Sequence, residues 1–125
     1  MSVSTEFESF VQDLLEPMGP IAIRHMFGGA GVYCRGAMFA LIADDVLYLK
    51  ADPDSSDSFE ALGCEPFRYE AGNGRVASMS YYETPPHLLD DPSELIDWAQ
   101  QSLEIALQAR MTRSEPRRRR PALRR

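Results

Sequence analysis

No apolar run in this sequence approaches the ~20 residues that cross a bilayer, so a membrane-spanning helix is excluded. Met1 to Glu6 carry no positive charge and lead into no apolar leader core, so no secretory signal is read there and a cytoplasmic protein is expected. Cysteine is scarce: Cys34 and Cys64 stand alone, and without an export signal two reduced thiols are expected rather than a disulfide. Histidine is as scarce. His25 and His87 have no cysteine near them in sequence, whereas zinc needs about four ligands at tight spacing; no metal and no cofactor are expected. Positive charge is missing from most of the chain. Residues 1–109 hold five basic residues (Arg24, Arg35, Lys50, Arg68, Arg75) against eighteen acids, a net of −13, while residues 110–125 hold eight arginines against Glu115, a net of +7. An acidic body and a basic tail must therefore be treated separately when partners are considered.

What remains is a single domain's length of chain, 125 residues, long enough to bury about two-thirds of its unfolded surface without a metal or disulfide. Phe7, Phe10, Val11, Leu14, Leu15 and Met18 share one helical face, with Ser4 or Thr5 as cap, Thr5 and Glu8 at capping-box spacing, and Pro17, Gly19 and Pro20 as the stop. Strands are then expected over 21–27, 31–34, 37–43 and 46–50. Gly28-Gly29-Ala30 is the bend after the first, and the tight turns Arg35-Gly36 and Asp44-Asp45 follow the next two, making an antiparallel meander. The third strand is apolar at every position, so both its faces are expected to be covered.

Asp52-Pro53 opens a short helix docked by Phe59 and Leu62 and ended by Gly63. Strands over 66–71 and 75–83 flank Gly72-Asn73-Gly74, a hairpin signal, and Thr84-Pro85-Pro86 breaks the second. Asp91, Pro92 and Glu94 start a last helix whose apolar face is Leu95, Trp98, Ala99, Leu103, Ala106 and Leu107 and which ends by residue 116. The fold class is α+β: an antiparallel sheet of about six strands with an N-terminal helix, a short middle helix and a long C-terminal helix.

Motifs that carry chemistry are weak. Gly28-Gly29-Ala30-Gly31 lacks the Gly-Lys-Ser/Thr ending of a phosphate loop and opens no helix, so a sharp bend needing positive φ and free of Cβ atoms is preferred over a phosphate cradle. Cys34 and Cys64 have no Cys-x-x-Cys spacing and read as buried thiols rather than a redox pair. The acids Asp44-Asp45, Asp52, Asp54, Asp57 and Asp90-Asp91 sit in turns and caps, which accounts for them without general acid–base work. Tyr33, Tyr48, Tyr69, Tyr81 and Tyr82 all fall in expected strands. Tyr81 and Tyr82 must point to opposite faces, one of them toward solvent. Such a sheet face suits base stacking, but the acidic body opposes phosphate, and core packing or a dimer interface is preferred.

At this point the motifs themselves are informative. Arg24-His25-Met26-Phe27-Gly28-Gly29-Ala30-Gly31-Val32-Tyr33 is similar to the opening motif of the N-terminal domain of the TfoX/Sxy family. Met38 to Asp45 followed by Leu47-Tyr48-Leu49-Lys50 resembles that domain's central hairpin. Pro66-Phe67-Arg68-Tyr69, Ser80-Tyr81-Tyr82, and Leu89-Asp90-Asp91-Pro92 with Trp98-Ala99 resemble its later motifs. The resemblance covers residues 7–109. It implies a bacterial regulator akin to positive regulators of natural competence, which are thought to act with a cyclic-AMP-dependent activator at promoters. It also implies an α+β fold like that of secretion chaperones, relatives that are often dimeric, and no catalytic residues. The motif positions Met26, Phe27, Gly28, Gly29, Gly31, Tyr33, Tyr48, Lys50, Tyr82, Asp91 and Pro92 are read as structural. The family's helical C-terminal domain has no counterpart after Arg110, where only the arginine tail follows. The domain is therefore set at 1–109 and the tail at 110–125, expected to be disordered on its own.

Three functions follow, in order of preference. The first is a non-enzymatic regulatory or interaction module with a protein partner or as a homodimer. The second is a nucleic-acid accessory protein that binds through Arg117, Arg118, Arg119, Arg120, Arg124 and Arg125; an equal reading folds that tail onto the acidic body. The third, a small enzyme or ligand-binding protein, requires a pocket lined by Arg24, Tyr48, Lys50 or Arg75.

Overall fold

The computed structural model describes residues 4–26, 29–70, 74 and 76–114. Helix α1 (Thr5–Leu15) leads into strands β1 (Ala22–Met26), β2 (Gly29–Cys34), β3 (Ala37–Ala43) and β4 (Val46–Lys50). Helix α2 (Pro53–Ala61), strands β5 (Pro66–Glu70) and β6 (Val76–Glu83), and helix α3 (Pro92–Ser114) complete the described chain. The α+β class and the order of elements agree with the sequence reading. Short 3-10 turns at Glu16–Met18 and Pro86–Asp90 are additional.

One antiparallel sheet holds all six strands in the order β1-β2-β3-β4-β6-β5. The first four form the expected meander. Its turns place Arg35 (φ 53°) and Gly36 (φ 78°), and Asp44 (φ 53°) and Asp45 (φ 57°), in the left-handed region. Paired positive φ values match the twist of the flanking strands, and aspartate tolerates that region by bonding locally. β6 rather than β5 lies beside β4, so β1 and β5 are the sheet's edges. The tip expected at Gly72-Asn73-Gly74 lies outside the described residues apart from Gly74, whose φ is +70°.

Caps set the helix starts. Ser4, not Thr5, caps α1, its hydroxyl accepting from the Phe7 N–H at 3.1 Å. Thr5 is the first helical residue, and Glu8 reaches instead to His25 on β1, so the Thr5–Glu8 capping box does not form. Asp52 caps α2 as expected, in a reciprocal box with Ser55. The Asp91 carboxylate accepts from the Glu94 N–H at 3.3 Å at the start of α3.

The ladder explains which residues meet the helices. Across the sheet, Ile23 pairs with Val32, Val32 with Ala40, Ala40 with Leu49, Leu49 with Tyr82 and Tyr82 with Pro66. This row and its neighbour Ala30–Ile42–Leu47 join Val11 and Leu15 of α1, Phe59 of α2, and Leu95, Ala99, Leu103 and Ala106 of α3 in one core. Phe59 stacks on Tyr82 at 5.4 Å and meets Trp98 edge-on at 5.0 Å, and such ring pairs contribute about 0.5–1.5 kcal/mol each beyond burial. Leu62 does not dock: it sits at the C-cap of α2 and is 52% exposed. Phe10 is likewise exposed, touching Phe7 on the flank of α1.

β3 departs from simple alternation. Val32 pairs with Ala40 but Tyr33 pairs with Met38, which leaves Phe39 as an extra residue in a β-bulge. Phe39 and Ala40 both turn into the helical core, each fully buried. The bulge thus directs two consecutive side chains to the helical face, while Leu41 on the other face is buried as well, so both faces of β3 hold buried side chains as the apolar run suggested. Two buried hydroxyls seal the sheet's ends. Ser102 on α3 donates to the Lys50 carbonyl at 2.8 Å, and Thr84 donates to the Leu47 carbonyl at 2.9 Å.

Candidate interaction surface on the open face of the sheet

The alternate row of the ladder carries different chemistry. Arg24 pairs with Gly31, Gly31 with Leu41, Leu41 with Tyr48, and Tyr48 with Glu83. Tyr33 with Met38 and Lys50 with Tyr81 lie on the same side, because side chains two apart on a strand share a face. Among the described residues, all three helices pack on the opposite face, in the single core cluster. This face thus carries Met26, Tyr33, Met38, Leu41, Tyr48, Phe67 and Tyr81, of which Leu41 and Tyr81 are buried. Phe67 meets Tyr48 edge-on at 5.2 Å and stacks on Tyr69 at 6.2 Å, and Tyr69 is exposed.

Glycine shapes the floor. A Cβ on Gly31 would lie 2.7 Å from the Met38 sulfur and 2.9 Å from both the Met26 methyl and the Tyr33 ring. A Cβ on Gly29 would lie 2.6 Å from the Ile42 carbonyl oxygen. Both glycines lie within β2, not in a bend, and neither has positive φ. A positive-φ bend is therefore not what Gly29 and Gly31 provide, whereas the expected lack of room for a Cβ holds at both; Gly28 lies outside the described residues. Close approach of a neighbouring strand and of three side chains is what requires the missing Cβ.

The two ends of the face differ in charge. At one end Arg24 lies over the Tyr33 ring at 5.4 Å, Lys50 lies over the Tyr81 ring at 4.8 Å, and Arg35 occupies the adjacent turn. Tyr81 is buried, its hydroxyl donating to the Met38 carbonyl at 2.8 Å. Tyr82 is half-buried on the helical face, its hydroxyl donating to Glu60 at 2.8 Å. Neither ring faces solvent outright, contrary to expectation. At the other end burial, then the Glu83 and Asp44 carboxylates, push the Tyr48 phenol above its ordinary value. The hydrogen bond to Glu60, followed by burial and that carboxylate's charge, does the same for Tyr82.

Two shallow concavities open at the basic end and share Tyr33 and Gly36. One, of about 330 Å³, lies between Met38, Lys50, Tyr81 and the α3 residues Ala106 and Ala109. The other, of about 400 Å³, runs along β1 past Ile21, Arg24 and Arg35. Arg24 and Lys50 line them as the ligand-binding reading required; Tyr48 does not, and Arg75 lies outside the described residues.

The remaining expected site residues fall elsewhere. Met26 ends β1 beneath Gly31, Asp91 and Pro92 begin α3, and Phe27, Gly28 and Arg117 to Arg120, Arg124 and Arg125 lie outside the described residues. His25 contacts Glu8, and His87 lies 3.8 Å from Glu94. Cys34 and Cys64 are buried and unpaired. Among the described residues no cluster of three metal-binding side chains exists, and no helix is long and apolar enough to cross a membrane. The open face itself was not read as a unit from sequence. Its signal was the even spacing of Arg24, Met26, Tyr48 and Lys50 along their strands, interrupted by the Phe39 bulge.

Comparison with known proteins agrees with this architecture. The TfoX N-terminal domain model matches residues 13–106. DNA transformation protein TfoX1 of Aliivibrio fischeri is 29% identical over 92 residues, covering 74% of this chain and 44% of that protein. Protein Sxy of Escherichia coli is 27% identical over 103 residues, covering 82% of this chain and 49% of that protein. DNA transformation protein TfoX of Haemophilus influenzae is 29% identical over 91 residues, covering 71% of this chain and 42% of that protein. The chain thus spans somewhat less than half the length of these relatives. With its match running from the end of α1 through most of α3, the chain belongs to the TfoX family through its N-terminal domain.

Proposed function

We propose that this chain is a non-enzymatic regulatory module of the bacterial cytoplasm that works by protein contact, as a homodimer or with a second protein. The observation that supports it is the row Arg24–Gly31–Leu41–Tyr48–Glu83, a methionine- and tyrosine-rich sheet face over which no helix packs among the described residues. An antiparallel sheet commonly has one solvated face, but that face is then polar; an apolar, aromatic one marks a contact surface. Two relatives bear the name DNA transformation protein, which supports a regulatory role connected with DNA transformation for the module here. Sedimentation equilibrium and affinity capture from a native lysate test the reading, with wild type compared to Tyr48→Asp. Assembly or partner capture that Tyr48→Asp abolishes is expected. A wild-type monomer that captures nothing overturns it.

A second reading is favoured by the charge division of the chain. Residues 110–125, with eight arginines against one acid, serve as an arm that neutralises nucleic-acid phosphates. Each phosphate neutralised contributes a slope of about −0.9 in log affinity against log salt. Fluorescence anisotropy on labelled duplex DNA at two salt concentrations, with and without Arg117 to Arg120 changed to serine, tests it. Equal affinity of the two proteins removes the arm.

A further inference from the structure

We propose that the basic end of the open sheet face receives a short acidic peptide segment of a partner protein, its carboxylates on Arg24, Arg35 and Lys50 and an apolar side chain against Tyr33 and Met38. The inference rests on the protein-contact reading above and specifies the partner's chemistry.

Charge placement is the first argument. The body carries −13, yet three of its five basic residues surround the shared wall of the two concavities. Of the other two, Arg68 lies near the opposite edge of the sheet, and Arg75 lies outside the described residues. At physiological salt, fields between exposed charges fade over about 8 Å, so an approaching carboxylate responds to the local cations rather than to the net charge of the body.

Geometry is the second argument. Arg24 and Lys50 lie across tyrosine rings, which orients each cation along the face and places an aromatic surface directly beside it. The pattern of cation, ring and methionine suits a ligand that alternates charge with apolar bulk. Gly36, Ala37, Ala106 and Ala109 form low walls around one concavity and let a main chain come close. Both concavities are open rather than enclosed, and they adjoin across Tyr33 and Gly36, which line both. An extended segment fits such an open surface better than a small enclosed ligand.

Extent decides between an acidic peptide and a nucleic acid. Duplex DNA presents one charge per ~1.7 Å of axis and would carry phosphates beyond the basic end. Toward the other end the same face offers Glu83 and Asp44, whose charges already act on Tyr48. A peptide with a few carboxylates ends within the basic half and avoids that repulsion.

The test uses the full chain and a fluorescein-labelled peptide bearing glutamates around a Leu-Phe pair, with a matched peptide in which glutamine replaces glutamate. Binding of the glutamate peptide about tenfold tighter than its glutamine match is expected, corresponding to about 1.4 kcal/mol of charge recognition. Arg24→Glu, at an exposed position, should weaken the glutamate peptide by about tenfold or more with an unchanged melting temperature, and Tyr33→Leu by several-fold. Changing Arg117 to Arg120 to serine should leave affinity within about threefold, which excludes capture by the tail. Loss on the tail variant with no loss on Arg24→Glu overturns the site. A labelled duplex that competes for the site and is itself weakened by Arg24→Glu overturns the peptide assignment in favour of phosphate. Equal binding of both peptides, lost in Tyr48→Asp, overturns the acidic assignment while leaving the protein-contact reading standing. Binding of neither peptide also overturns it, and the sedimentation of Tyr48→Asp then reads the contact surface independently.

Discussion

Gly29 and Gly31 sit two residues apart on one strand, and alanine at each should fail in a different way. A Cβ on Gly29 falls 2.6 Å from the Ile42 carbonyl oxygen, a backbone atom that cannot move without opening the β2–β3 ladder. Forcing a group into such a site costs about 1–3 kcal/mol, from which Gly→Ala recovers about 0.4–1 kcal/mol by restricting the unfolded chain. A net loss near 1–2 kcal/mol is expected for Gly29→Ala. At about 4–8 °C per kcal/mol for a domain near this size, the melting temperature should fall by about 5–15 °C. The atoms nearest a Cβ on Gly31 are the sulfur of Met38, the terminal methyl of Met26 and the edge of the Tyr33 ring. Flexible side-chain ends can yield, so Gly31→Ala should change stability by less than about 1 kcal/mol. It should nevertheless displace Tyr33 and weaken any ligand or partner on the open face. Urea unfolding of the three proteins with a common m-value, followed by the binding measurements above, reads both outcomes. A Gly29→Ala protein as stable as wild type would show that the ladder opens freely there. A Gly31→Ala protein that is stable and binds unchanged would remove Tyr33 from the contact surface.

Other groups give independent tests. Ser102→Ala removes the buried donor to the Lys50 carbonyl, which costs about 1–2 kcal/mol, less about 0.5 kcal/mol returned by alanine's helix propensity; calorimetry should show a lower melting temperature, and an unchanged one refutes that role. Hydrogen bonds from Ser55 hold the Asp52 carboxyl below its ordinary 3.8, so its cap adds stability above that pH and loses it as pH falls through the lower folded value. The stability gap between wild type and Asp52→Asn should therefore be full at neutral pH and close in acid; a gap independent of pH contradicts the cap's charge. Burial, then the Glu83 carboxylate, raises the Cys64 thiol above its ordinary 9.0, so native protein should react slowly with a thiol reagent at pH 8 and quickly once unfolded in urea. Equal rates in the two states exclude a buried thiol.

Much of this architecture was legible from local signals. The period of Val11, Leu15 and Met18, the Asp52 and Asp91 caps and the Arg35-Gly36 and Asp44-Asp45 turns each act over a few residues and are written in a few residues. Features that failed to show depend on partners distant in sequence. Leu62 has a core residue's hydrophobicity and helical spacing, but it falls on the closing turn of α2, past the last position that faces β6. At Gly29 and Gly31 the need to exclude a Cβ is legible in the Gly-rich run, but its source is not, because the demand comes from Ile42 and Met38 across a ladder and not from their own φ. Nothing near Ser102 in sequence marks its role, because the acceptor of its hydroxyl, the Lys50 carbonyl, lies 52 residues away.

The bulge at Phe39 connects these points to function. Without it, β3 would alternate strictly, and from the register at Leu41 its residues 37 and 39 would face the open side while Met38 faced the core. One extra residue returns Ala37 and Phe39 to the helices, with Cys34 opposite Ala37, and turns Met38 outward beside Tyr33. It also brings the Met38 carbonyl to the Tyr81 hydroxyl, which fixes the ring on which Lys50 lies. A single insertion in the ladder thus completes the core on one face and assembles the apolar and basic end of the other. This is the sense in which the open face is built rather than left over: its central methionine points outward only because its neighbour, Phe39, has been turned in.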